Sequence, residues 1–382
     1  MILADIVIQL TDMYYMKNAA LIVLVSLSLS ASLFCKKTEK TNEVSADAVE
    51  IKDSVIVSNL NFPWEILWAP DNFIWMTERG GKISRVNPAT GAVSVVFTIN
   101  EVVSTGEGGL LGMTLHPNFS STPHVFVVYD YDNGSGYKEK IVRYTYNGTS
   151  LSSPVTIIDN INASNIHNGS RLAISPDLKL FISTGDATNQ GLPQNISSVN
   201  GKILRLNLDG SIPSDNPVPG NPYWSYGHRN PQGLVYANNT LYSSEHGPTT
   251  DDEINIIEKG KNYGWPDVRG FCDESSEQNF CNSHIIKQPL KVWTPTAAVS
   301  GMDYYNKDLI PQWKNSLLVV ALKNARLYQL RLDNAHSAIT ETNEFLTNKY
   351  GRMRDLCISP EGKVYICTSN GGNDKIIAIS GK

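Results

Sequence analysis

The 382-residue sequence predicts an all-β fold, and three observations lead there. Short runs rich in Val, Ile and Tyr alternate with Gly, Pro, Asn and Ser throughout, a punctuation that favours many short strands over long helices. Four segments repeat one pattern: a small residue or His, then Pro, then Asp, Glu or Asn, then a hydrophobic strand. They begin at Ala69-Pro70-Asp71, His116-Pro117-Asn118, Ser175-Pro176-Asp177 and Ser359-Pro360-Glu361. Each turn follows one strand and launches the next, and a further strand often comes after it, as in KILRLNLDG, RLYQLRLD and KIIAIS. Strand–turn–strand units recurring at wide intervals are how propeller blades read in sequence. About 330 residues at ~50 per blade make six or seven blades, with a pair of β-sandwiches as the structural alternative.

The composition is that of an ordinary globular protein, 41% hydrophobic and 18% charged, with a formal net charge of −5. That mild acidity and the lack of any basic stripe argue against a nucleic-acid partner. At the N-terminus, Met16-Lys17-Asn18 is a short positive start, Ala19 to Phe34 is apolar and Ser-rich, and Cys35-Lys36-Lys37 follows. The apolar run is shorter than the roughly 20 residues of a membrane-spanning helix, so residues 1–37 read as an export leader. Translation from Met16 fits it, and Cys35 stands where a bacterial lipoprotein is cleaved and acylated. Plain secretion, with Cys35 discarded, is the other reading. Residues 38–52 are expected to be a flexible tether and 53–382 the propeller domain.

Four cysteines remain beyond Cys35. Cys272 and Cys281 enclose an acidic polar loop and are expected to pair, as an exported chain permits. Cys357 and Cys367 fall on two strands of one hairpin facing the same side, either bridged or buried as thiols. None has zinc-ligand spacing.

In a propeller, loops from separate blades meet at one face, so polar residues beside Gly-rich loops are the candidates for chemistry. Gly106-Glu107-Gly108-Gly109 is one such loop, although glycine turns are commonly just turns. His167, in NIHNGSRL, carries an imidazole, a group that can accept a hydroxyl proton, although a lone His is more often a surface or internally satisfied residue than a catalyst. Tyr226-Gly227-His228-Arg229-Asn230-Pro231-Gln232-Gly233 crowds hydrogen-bonding groups into a tight loop, which is costly unless they find partners. Its Arg229 suits a carboxylate or a developing oxyanion. The acidic turn after Glu245-His246-Gly247-Pro248 lacks EF-hand spacing but offers oxygen ligands of the kind Ca²⁺ takes. Lys323 is a further cation, and Arg352 and Arg354, two apart on an expected strand, should face the same way as paired positive charge. Surface charge is the commoner reading of each, but together with Arg229 they could hold a multiply anionic ligand.

In this order these segments resemble the soluble glucose/sorbosone (aldose sugar) dehydrogenases that depend on pyrroloquinoline quinone (PQQ). The matching stretches run from about residue 60 to the C-terminus: FPWEILWAPDNFIWMTERGGKI, GEGGLLGMTLHPNF, HNGSRLAISPDLKLFISTGD, GKILRLNLDGSIPSDNP, YGHRNPQGL, EHGPTTDDEIN, NYGWP and RMRDLCISPEGKVY. The resemblance implies a six-bladed β-propeller of four-stranded antiparallel blades with PQQ on one face. It implies His167 as the general base, with hydride passing from the same carbon of a sugar or alcohol to PQQ. It places Arg229 and Asn230 beside the quinone oxygen, the carbonyls of Gly247 and Pro248 on calcium, and Lys323, Arg352 and Arg354 around the PQQ carboxylates. Two departures stand out. Glu107 occupies a cofactor-side position where the family usually has Gln. Ile166 precedes the His where some glucose-oxidising members have Asp, so glucose specificity does not carry over. A non-catalytic propeller serving as a binding or adhesion module is the competing reading, and a calcium-dependent lactonase-type propeller a third.

Overall fold

The computed structural model describes residues 48–382, so the leader, Met16, Cys35 and most of the tether lie outside the described residues. Six four-stranded antiparallel sheets form six blades: residues 63–98, 110–162, 169–226, 231–293, 299–345, and 353–381 completed by Ile51–Leu60. The last blade takes its outer strand from the chain's beginning, Ile51 pairing with Gly381 and Leu60 with Asp374. That pairing starts the first strand at Ile51, two residues inside the segment read as tether. It also closes the ring, which otherwise leaves an open blade edge.

Second strands lie between neighbouring blades and are buried on both faces. Ser316–Ala321 (SLLVVA) and Val364–Thr368 (VYICT) are buried throughout, which is why they read as apolar runs without alternation. Alternate residues of one strand then face different neighbours. Val125 and Val127 pack toward blade 1, Phe126 and Val128 toward blade 3. The hydrophobic core is accordingly six clusters, one at each junction between blades. Outer strands such as Ile339–Phe345 are largely exposed.

The four repeated turns each join the first strand of a blade to its second, in blades 1, 2, 3 and 6. In three of them the first residue's N–H donates to the carbonyl four residues on: Ala69 to Phe73, Ser175 to Lys179 and Ser359 to Lys363. Blades 4 and 5 do it differently. Blade 4 turns tightly through Asn238 and Asn239, both at positive φ, and blade 5 takes a longer path through a 3₁₀ turn at Pro311–Trp313. Asn tolerates the left-handed region better than most residues, so a two-residue Asn turn needs no proline.

The first strands pack around the axis. At Gly112 an added Cβ would lie 2.1 Å from the Ser170 carbonyl of the next first strand, so only glycine allows that approach. In all six blades the register between first and second strand shifts near the start of the first strand, as between Gly169 and Leu172 or Pro231 and Gly233. Such bulges turn side chains at the rim and sit beside active sites.

Cys272 and Cys281 form a disulfide. The segment between them, expected as a loop, is largely a helix, α1 (Ser275–Ser283). Glu274 at its N-cap and Glu277 in its first turn complement the positive end of the helix dipole. Cys357 and Cys367 are free, buried thiols. They sit two register positions apart, Cys357 opposite Tyr365 and Cys367 opposite Asp355. No helix among the described residues is long and apolar enough to cross a membrane.

Candidate active site

Loops that lead into first strands and loops that join second to third strands open at the same end of an antiparallel blade. His167, Arg229, Asn230, Glu107 and Arg352 lie just before first strands, and Gly247, Pro248 and Lys323 lie in second-to-third loops. One face therefore carries all eight, and Arg354 stands just inside it on the first strand Met353–Ile358.

His167 has positive φ, and its Nδ1 lies 2.9 Å from Asp186 Oδ1. A carboxylate only accepts, so it fixes the proton on Nδ1 and leaves the Nε2 lone pair free. The other Asp186 oxygen accepts from Trp265 Nε1 at 2.9 Å, and the Asp186 N–H donates to the Arg229 carbonyl at 2.8 Å. Trp265 in turn faces the Arg229 guanidinium, 5.3 Å from ring centre to Cζ. Arg229 Nη1 donates to the His246 carbonyl at 3.1 Å, one residue before the Gly247 turn. Arg229, Gly247, Pro248 and Trp265 line one small cleft. Residues spread from 167 to 265 thus meet through consecutive contacts.

The Gly247 turn is rigid. Its N–H donates to Asp252 Oδ1 at 2.9 Å, and a Cβ on Gly247 would lie 1.9 Å from the Thr250 carbonyl. Thr249 of the same turn accepts from the Thr296 N–H, and Thr296 Oγ1 accepts from Lys323 Nζ at 3.3 Å. Lys323 is otherwise exposed, as is Arg352, whose Nε donates to the Ser369 carbonyl.

Arg352 and Arg354 are not the equivalent pair that their spacing predicts. Arg352 precedes the strand and faces solvent, whereas Arg354 is 5% exposed and donates to Gln232 Oε1 at 2.6 Å and Ser300 Oγ at 3.3 Å. Burial pushes Arg354 down to about 10, against which the Glu107 carboxylate supports its charge. Glu107 acts in the same direction on Arg79 and Arg229, so its negative charge sits among three cations. Farther along the first strands, Glu65, Arg171 and Asp355 line a cavity as a buried charge cluster. Arg171 bonds Glu65 at 2.6 Å and Asp355 at 3.1 Å, with its guanidinium over Trp64. Removing Arg171 would strand two buried carboxylates, at a cost of about 3–5 kcal/mol.

Asn230 is 1% exposed, and its Oδ1 accepts from the Gly169 N–H at 3.0 Å and from Gln232 Nε2 at 3.2 Å. This amide joins blade 4 to the loop bearing His167. Sequence reasoning missed Asp186, Trp265, Glu245 and Arg79 as site residues. All four stand inside segments already singled out, STGD, NYGWP, SSEHGP and TERGG, but their roles depend on partners far away in the chain.

The glucose/sorbosone dehydrogenase family matches residues 60–377. The quinoprotein glucose dehydrogenase B of Acinetobacter calcoaceticus is 35% identical, the match covering 84% of this chain and 85% of that one. The aldose sugar dehydrogenase YliI of Escherichia coli is 31% identical over 84% of this chain and 90% of its own. The PQQ-bound aldose sugar dehydrogenase of Streptomyces coelicolor superposes with a TM-score of 0.76 at 32% identity, covering 87% of this chain and 99% of that structure. With its six blades and this collinear set of loops, the chain belongs to the glucose/sorbosone dehydrogenase family.

Proposed function

We propose that this protein is a PQQ- and calcium-dependent dehydrogenase that oxidises the C1 hydroxyl of aldose sugars or a related alcohol. The observation that carries the reading is the contact chain from His167 through Asp186 and Trp265 to Arg229 and the Gly247 turn. It puts a base with a free lone pair, a guanidinium and fixed turn carbonyls at one rim.

The residues fit the cofactor. Arg229 Nε and Arg354 Nε are buried without a hydrogen-bond partner, so two cations at this face keep unused donors. Lys323 and Arg352 present exposed charge at neighbouring loops, suited to an anionic ligand with several carboxylates. Among the described residues no three His, Cys, Asp or Glu side chains cluster as a metal site, so calcium here would rely on the Gly247 and Pro248 carbonyls and the cofactor's own oxygens. When bound, PQQ supplies the two-electron acceptor and Ca²⁺ the Lewis acid that polarises it.

The chain's own residues do the rest. His167 Nε2 takes the substrate hydroxyl proton, and Asp186 orients the ring and stabilises the imidazolium that forms. Arg229, held by the Trp265 face and the His246 carbonyl, places a fixed cation where negative charge develops. Glu107, balanced by Arg79, Arg229 and Arg354, tempers the positive field at the cofactor face. Export, and a lipid anchor on Cys35, complete the reading from the sequence.

Apoprotein titrated with PQQ and Ca²⁺ is expected to develop a cofactor absorbance and to reduce an artificial acceptor with at least one sugar of an aldose panel. His167→Ala is expected to bind PQQ yet lose about 10²–10⁴-fold in turnover. A parent protein with neither cofactor spectrum nor activity supports the binding-module alternative instead.

A further inference from the structure

Behind Arg229 lies a line of three buried side chains that the reaction itself does not use. Ser225 Oγ is 2.8 Å from His228 Nε2, and His228 Nδ1 is 2.9 Å from Glu245 Oε2. The order Ser–His–acid is that of a hydrolase triad. Ser225 and His228 are both 0% exposed, so no acyl substrate reaches that hydroxyl. The line points elsewhere. The second Glu245 oxygen accepts the backbone N–H of Arg229 and, at 3.2 Å, that of Asn230. On the other edge, the Arg229 carbonyl accepts from the Asp186 N–H at 2.8 Å and the Asn230 carbonyl from the His246 N–H at 3.3 Å. The Arg229–Asn230 backbone is therefore clamped on both sides, while the guanidinium itself makes one hydrogen bond, to His246. With that bond and the Trp265 face as its other side-chain contacts, its direction also depends on where the backbone points it.

We propose that Ser225, His228 and Glu245 are positioning residues for the dehydrogenase reaction, acting through the backbone of Arg229 and Asn230. Glu245 is the hub: one 4%-exposed carboxylate receives three N–H donors from three consecutive residues of the loop that enters blade 4. Tyr263, stacked on the His228 ring at 4.5 Å between centroids, keeps the imidazole edge-on to both partners. Ser225 anchors the far ring nitrogen. Replacing Glu245 with Ala leaves three buried donors unpaired and frees the Arg229 loop. Glu245→Gln keeps an oxygen for the two amides. Its new NH₂ meets Nδ1 if the ring changes tautomer and gives its Nε2 proton to Ser225, so the conservative variant should rescue.

This inference rests on the reading that places Arg229 at the cofactor, and the test separates the two. Hydrogen exchange of residues 226–234 in the apoprotein reports the clamp without any cofactor. PQQ titration and steady-state kinetics report its consequence. In Glu245→Ala we expect faster exchange of that segment, PQQ affinity weaker by about 10–100-fold and a lower kcat, with sugar KM within about 3-fold. Glu245→Gln should stay within about 3-fold of the parent in each, and Ser225→Ala should fall between. Ser225→Ala added to Glu245→Ala should cost little more, because one network is broken once. Glu245→Ala with unchanged exchange and unchanged PQQ affinity overturns the proposal. If Glu245→Ala does not fold, Ser225→Ala indistinguishable from the parent in exchange, affinity and kcat overturns it. Faster exchange in Glu245→Ala alongside a parent that binds no PQQ overturns the cofactor reading, and with it the catalytic part of the proposal, while leaving the clamp intact.

Discussion

The two ends of the first strands are built on opposite principles. At the end that carries the Pro-containing turns, hydrogen bonds close within the turn. Ser359 N–H meets the Lys363 carbonyl, and Ser359 Oγ accepts the Lys363 N–H. Ser175 repeats the arrangement with Lys179. At the other end partners come from different blades: Asp186, which holds His167 within blade 3, with Trp265 of blade 4; Asn230 with Gly169; Asp130 with Asn168. Local turns are replaceable one at a time. The cross-blade end is a network, so a change there propagates to side chains it does not touch.

The largest effect should follow from Asp186→Asn. The amide no longer enforces the Nδ1–H tautomer of His167 and no longer stabilises the imidazolium, so kcat should fall by about 10²–10⁴-fold, with PQQ binding retained. A kcat within a few-fold of the parent in stopped-flow or steady-state assays would remove the reason for treating this end as a network. Next comes the contrast between the two arginines. Arg354→Ala should weaken PQQ binding by about 10–100-fold, because it also strands Gln232 in the axis, and Arg352→Ala by only about 2–5-fold, because its charge is exposed. Equal effects in a PQQ titration would mean that burial does not distinguish them.

A smaller effect, read through pH, concerns Asp130, which accepts from the Gly109 N–H and Asn168 Nδ2. Burial pushes its carboxyl from 3.8 up to about 7. A raised folded-state value favours the protonated form, so the stability it contributes is fully present below about pH 4 and is lost as pH rises to about 7. Asp130→Asn should flatten that part of the pH profile of unfolding free energy by about 1–2 kcal/mol. The displacement of its pKa sets a ceiling of about 4 kcal/mol, at ~1.4 kcal/mol per pH unit. A slope between pH 4 and 7 equal to the parent's would contradict it. Smallest of all, Ser359→Ala should cost about 0.5–1 kcal/mol in denaturant unfolding and leave activity unchanged. An activity loss there would show the two ends to be coupled after all.

This difference also explains what was legible in advance. The turns at Ala69, Ser175 and Ser359 are readable because their hydrogen bonds join residues four apart, and they mark their blades correctly. Blades 4 and 5 escape the pattern because an Asn-Asn turn and a 3₁₀ detour solve the same connection without it. The polar segments of the site are visible as costly clusters of His, Arg, Asn and Glu. Their internal division of labour is not. Nothing at positions 352 and 354 says that one arginine faces water and the other enters the axis. Nothing in SSEHGP says that Glu245 holds the backbone of the loop 15 residues earlier.

By itself the sequence determined the strand-and-turn alphabet, the approximate number of blades and the segments rich in hydrogen-bonding groups. These depend on propensity and on contacts a few residues long. Only the tertiary structure decided which of those groups are buried, which carboxylate orients His167 and which clamps Arg229. Closing the ring at Ile51–Gly381 fixes the blades around one axis, and burial and pairing across their junctions depend on that closure rather than on any stretch of chain.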